Sequence, residues 1–145
     1  MRALSLWQPW AWAIIHAGKD VENRVWRTKH RGDLVIHASK RKPTVAEAES
    51  FLKLLEDIGG TTRLAMIPGP GPTLRIDYIR NTLPRGGVVG VVEVTGCSRG
   101  ESQSPWAFRD QYQWSLRNPR PMTFNPMKGQ RGFFNVDEVL IVERG

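Results

Sequence analysis

Val88-Val89-Gly90-Val91-Val92-Glu93-Val94-Thr95 is the segment that most limits what this chain can fold into. Branching at Cβ stiffens a side chain and favours a pleated surface, so such a run predicts a strand. A nearly continuous apolar strand belongs inside a sheet, with other strands beside it. Glu93 is its one charged residue. In a central strand it is a buried carboxylate that needs a cation, most simply Lys19 or Arg24; on a solvent face it carries no message.

The rest of the chain supplies the neighbours. Asp20 to Trp26 alternates, with Glu22, Arg24 and Trp26 on one side. After a turn at His30-Arg31-Gly32-Asp33, Leu34 to Ala38 reads as a strand. Tyr112 to Leu116, Met122 to Phe124, Gly132 to Val136 and Val139 to Glu143 read as four more. Pro9 suits a first helical turn and Gly18 the position past a helix end, so a short helix is expected over 9–17. Thr44 and Glu47 form a capping box, and Val45, Ala48, Phe51, Leu52, Leu55 and Ile58 give the apolar stripe of a second helix. Gly59-Gly60 is expected to stop it. Prolines alternating with glycines predict an irregular insertion over 61–87, with a short helix at 74–81. The sum is one α+β domain over 1–145. It has five to seven strands, two or three helices, and a mixed or antiparallel sheet curling into a small barrel.

Charge narrows the function. Lys and Arg outnumber Asp and Glu by 21 to 14, a formal +7. Arg24, Arg27, Lys29, Arg31, Lys40, Arg41 and Lys42 crowd one stretch. Arg117, Arg120, Lys128 and Arg131 occupy another that lacks acids, while Glu47, Glu49, Glu56 and Asp57 gather on one helix. Segregated positive charge is what a nucleic-acid face needs. Cys97 is alone and His16, His30 and His37 lack ligand spacing, so neither a metal nor another cofactor is expected. Without a secretory pattern or a spanning run, a cytoplasmic protein with no membrane partner is expected.

The densest cluster of candidate chemistry is Gly18-Lys19-Asp20-Val21-Glu22-Asn23-Arg24, at the end of the first helix. A lysine beside a carboxylate and an arginine can contact phosphate, read a base or move a proton. The same trio can equally be a surface salt bridge of little consequence. Four of the six tryptophans occur by residue 26. Trp7, Trp10 and Trp12 cannot all face one core, so at least one is a candidate to line a groove. Trp26, Tyr112 and Trp114 are the other stacking candidates, against the alternative of plain core packing.

Gln8-Pro9-Trp10-Ala11, then Gly18-Lys19-x-x-Glu22-x-Arg24, then Trp26 and His30-Arg31-Gly32-x-Leu34-x-Ile36-x-Ala38, resembles the ASCH domain and its G-x-K-x-x-E-x-R signature. Trp114-x-Leu116-x-Asn118-Pro119 and Lys128-Gly129 resemble the transcriptional-coactivator-like branch. The resemblance implies a PUA-like fold, a small, partly open β-barrel with flanking helices. It implies a cleft lined by the signature lysine, glutamate and arginine, and an association with RNA or DNA.

One bacterial branch of the family resembles amidohydrolases acting on acetylated cytidine, and another member is reported as a ribonuclease. The amidohydrolase branch has Thr where this chain has Glu22, and a carboxylate cannot replace a hydroxyl nucleophile.

The leading expectation is a domain that binds RNA or single-stranded DNA. Lys19, Glu22 and Arg24 would form the pocket, with Arg27, Lys29, Arg31, Lys40, Arg41, Lys42, Arg117 and Lys128 drawing in phosphate. The alternative is a metal-independent hydrolase of RNA or a modified nucleoside, using Lys19 with Glu22 or Glu93. A protein-interaction module is the third, with the 61–87 insertion as partner site or flap.

Overall fold

The computed structural model describes residues 1–138. The expected strand over 139–143 lies outside the described residues. Six strands, β1 (Arg2–Leu6), β2 (Val21–Arg24), β3 (Gly32–Ala38), β4 (Gly87–Arg99), β5 (Tyr112–Pro126) and β6 (Phe133–Asn135), form one sheet in the order β2-β5-β4-β3-β1-β6. β1 and β3 run parallel and the other pairs antiparallel, so the sheet is mixed and the class α+β. The valine run is indeed central: β4 pairs with β3 on one side and β5 on the other.

The sheet curls into a half-barrel. Trp26, just past one edge strand, packs edge-to-face on Phe133 of the opposite edge strand, with centroids 5.2 Å apart. Trp114 of β5 meets both rings, at 4.7 Å and 5.6 Å. Three aromatic rings therefore draw the two edges together.

β5 is one strand where two were expected. Its β2 partner covers only Tyr112 to Ser115. Beyond Ser115 that side of β5 has no β2 pairing, which is where prolines without an N–H are tolerated. Pro119, Pro121 and Pro126 all lie there. Register shifts against β4 absorb the irregularity.

Three helices flank the sheet: α1 (Trp10–His16), α2 (Val45–Leu64) and α3 (Pro72–Asp77), the last followed by a π-helical turn at Tyr78–Thr82. α1 lies between two apolar layers. Ala11, Ile14 and Ile15 join the sheet core with Leu34, Val92 and Trp114. Ala13 and Ala17 join Phe51, Leu55, Ile67 and Ile79 on the α2 side. α2 starts on the expected capping box, in which Thr44 Oγ1 accepts from the Glu47 N–H and Glu47 Oε1 accepts from the Thr44 N–H.

Gly59-Gly60 kinks this helix and does not stop it. Gly60 adopts φ 62°, ψ −156°, a backbone open essentially to glycine alone. The following turn carries Arg63, whose Nη1 donates to the Ala17 carbonyl at 2.6 Å, capping α1 from outside. So 61–87 is largely helical and buries Ile67, Ile79 and Leu83. None of its residues lines the cavities described below, which argues against a flap over the cleft.

Removing the Arg63 guanidinium leaves a helix-end carbonyl without its charged donor. Arg63→Ala should lower stability by about 1.5–3 kcal/mol, the usual worth of a charge-assisted hydrogen bond. Urea unfolding of the two proteins reads this directly, and coincident curves would refute the brace.

Candidate nucleic-acid interface

α1 delivers Lys19. Gly18, at φ 74°, turns the chain so that the Lys19 N–H donates back to the Ala13 carbonyl at 3.1 Å. The side chain is then carried inward and only 5% of Lys19 is exposed. Its Nζ donates to the Val21 carbonyl and lies 3.4 Å from Glu22 Oε1. Glu22, 8% exposed, accepts from Arg24 Nε at 2.8 Å through its other oxygen. Arg24 also donates to the Ser5 carbonyl at 3.4 Å. A carboxylate is thus held between two cations where water barely reaches, which excludes the surface-bridge reading.

These three residues line a cavity of about 320 Å³ with Ser5, Leu6, Trp7, Trp10, Asn23, Phe108 and Gln111. Trp7 is 52% and Phe108 49% exposed, so both offer aromatic surface to a ligand. Arg41 lies over the Trp7 ring at 3.8 Å from its centroid. Gln8, the glutamine before Pro9, works structurally. Its Oε1 accepts from the first-turn N–H of Trp12 and its Nε2 donates to the Pro84 carbonyl, each at 2.9 Å. Asn23 holds the loop between β4 and β5, donating to the Trp106 carbonyl at 2.9 Å and accepting from the Phe108 N–H at 2.8 Å. That loop places Phe108 on the rim.

The other sequence candidates divide. Trp114 is fully buried and its indole N–H donates to the Trp26 carbonyl, so it cannot stack on a ligand. Trp26 is spent on barrel closure. Tyr112 is half-buried between the guanidinium groups of Arg27 and Arg99. Glu93 pairs with Arg117 at 2.8 Å, not with Lys19 or Arg24, and does not line the cavity. Arg117 is exposed and Glu93 half-buried, and neither lines either cavity, so the structure places this pair apart from Lys19 and Arg24.

Arg27, Lys29, Arg31 and Lys42 are exposed outside the cavity, and Lys40 and Lys128 line a second one beside it. Sequence reading missed Phe108, Gln111 and Ser5, because a loop and a remote strand bring them in. It left Trp7 as one of three tryptophans. The signal that could have singled it out is its place just before the buried Gln8-Pro9.

Burial pushes the Lys19 ammonium below the ordinary 10.5, and the charge of Glu22 opposes that shift. Between the depressed value and 10.5 the unfolded chain binds more protons here than the folded chain, so this group makes stability rise with pH. Relative to Lys19→Met, the native protein should gain stability as pH rises from neutral toward 10.5, as measured by urea unfolding across that range. Parallel pH profiles would refute a buried, strained ammonium.

Residues 4–127 match the family described as the ASCH domain. Against the expected G-x-K-x-x-E-x-R signature, Lys19-x-x-Glu22-x-Arg24 keeps its spacing while Gly18 stands one place nearer the lysine. The chain is 30% identical over 147 residues to activating signal cointegrator 1 of Homo sapiens, and 30% over 142 residues to that of Mus musculus. Each alignment covers 92% of this chain and 22% of the relative, so the chain spans about a fifth of those proteins' length. Among the described residues no helix is long and apolar enough to cross a membrane. The chain belongs to the ASCH domain family.

Proposed function

We propose that this domain binds single-stranded nucleic acid, RNA or DNA, and takes one base into the cavity above Lys19, Glu22 and Arg24. The observation that carries this is the pairing of exposed Trp7 and Phe108 around a charged floor, in a pocket of about 320 Å³. A base offers a flat face and an edge of donors and acceptors, and such a pocket answers both. Lys19 and Arg24 donate and Glu22 accepts. Arg27, Lys29, Arg31, Lys40 and Lys42 lie in the surrounding sequence without a carboxylate partner in the described structure and supply phosphate attraction.

A hydrolytic role for the same pocket is the second reading. It rests on Lys19, a buried lysine at the cavity wall whose pKa burial lowers, the direction in which a general-base lysine is tuned. Lys19→Ala separates the two. A hydrolase loses turnover on RNA or acetylated cytidine far more than affinity, whereas a binder has no turnover to lose.

Trp7→Ala should weaken binding of a short single-stranded oligonucleotide by about 1–3 kcal/mol, the worth of one base stacked on an aromatic ring. The logarithm of affinity should also fall linearly with the logarithm of salt, by about 0.7 per phosphate contacted. Fluorescence anisotropy at several salt concentrations measures both. Binding indifferent to salt, or unchanged by Trp7→Ala, would defeat the proposal.

A further inference from the structure

Ser5, Trp7 and Arg24 form a wall with a cavity on each side. On the far side from the base pocket lies a basin of about 780 Å³, further lined by Lys40, Lys128, Arg131 and the glycines Gly129 and Gly132 of the loop after β5. No carboxylate is among its lining residues. Lys40, Lys128 and Arg131 have no ion pair among the described residues; only Arg24 is shared, with Glu22.

The loop over this basin is fixed from beneath. His37 is 1% exposed, and its Nε2 lies 2.7 Å from the Met127 carbonyl. A carbonyl only accepts, so Nε2 carries the proton. In the neutral ring Nδ1 then accepts from the Ser5 hydroxyl at 2.9 Å. The Met127 N–H donates to the Gly86 carbonyl at 3.1 Å. The next three N–H groups, of Lys128, Gly129 and Gln130, meet no acceptor among the described residues. A Cβ on Gly129 would stand 2.7 Å from His37 Cε1 and 3.0 Å from Ser5 Oγ. The backbone therefore comes this close to the floor only because residue 129 is glycine.

Consecutive unpaired N–H groups on a pinned loop, flanked by uncompensated cations, suit a phosphate group. We propose that this basin holds the phosphate of the nucleotide whose base occupies the first cavity. The unit recognised is then a nucleoside phosphate, read on both sides of one wall. This rests on the base-binding reading of the first cavity and adds the phosphate site to it. A terminal monophosphate and a bridging phosphodiester offer the basin the same chemistry.

The test uses the ¹⁵N-labelled chain titrated with adenosine, adenosine monophosphate and the dinucleotide ApA, with the uridine series alongside. The amide signals of Lys128, Gly129 and Gln130 should move with the phosphate-bearing ligands and stay with the nucleosides. The phosphate should tighten binding by about tenfold or more, as charge-assisted hydrogen bonds do. A Lys128→Ala/Arg131→Ala double variant should erase that advantage and leave nucleoside affinity unchanged. Tightening by the monophosphate alone identifies a terminal phosphate, and tightening by ApA alone a bridging one. Equal affinity for nucleoside and both phosphate ligands, with the three amides unmoved, overturns the proposal. Salt-dependent oligonucleotide binding would in that case leave the broader reading intact.

Discussion

A seven-residue helix cannot hold itself together in water, where even good helix formers need roughly 12–15 residues. α1 exists because two apolar layers close on it, the sheet on one side and α2 on the other. Much of the site inherits that dependence. Lys19 follows α1 by three residues, Trp7 precedes it by three, and the bond from the Lys19 N–H to the Ala13 carbonyl fixes the exit angle. Arg63 closes the last turn from a different element. The site is thus positioned by packing at both ends of one short helix, and its geometry should persist for as long as the core does.

The buried trio that follows is a separate matter from stability. Desolvating a carboxylate and an ammonium costs several kcal/mol per ion, and their attraction only offsets it when the geometry is good. Glu22 has a cation on each oxygen, which meets that condition. An apolar set of the same volume would serve the core as well. The three charges beside an open cavity, with aromatic surface above them, are what the proposed binding role would use, and they are kept at a structural cost.

Much of the fold was written in local pattern, and the remainder depended on partners. The capping box at Thr44 and Glu47, the valine run and the α1 boundaries are properties of neighbouring residues, and each was legible. Arg2–Leu6 was not, because five residues of which only Ala3, Leu4 and Leu6 are apolar, running into tryptophans, have no period long enough to name a strand. Pro119 and Pro121 hid the continuity of β5, since only the reach of β2 shows that they fall where no ladder bond is needed. Trp114 and Trp7 show the same limit within the site. Strand alternation places Trp114 on a face without saying whether that face looks inward, and barrel closure decided it. The Lys19, Glu22 and Arg24 cluster was readable because its spacing is local. Phe108, Gln111 and the 128–130 loop arrive from far along the chain.

Glu47 joins two parts of the molecule that have no obvious reason to be joined. One of its oxygens accepts from the Thr44 N–H and starts α2; the other accepts from Arg41 Nη2 at 2.9 Å, and Arg41 lies on Trp7. The exposed indole therefore lies against a guanidinium that is itself held, which reduces the rotamer freedom it would lose in the proposed binding. The bond from Arg41 and the Thr44 N–H hold the Glu47 carboxyl below its ordinary value of 4.5. Its contribution is present above that value and fades only as pH falls through the depressed one. Helix start and aromatic surface share a single titrating carboxyl, so acid that protonates it loosens them as one unit.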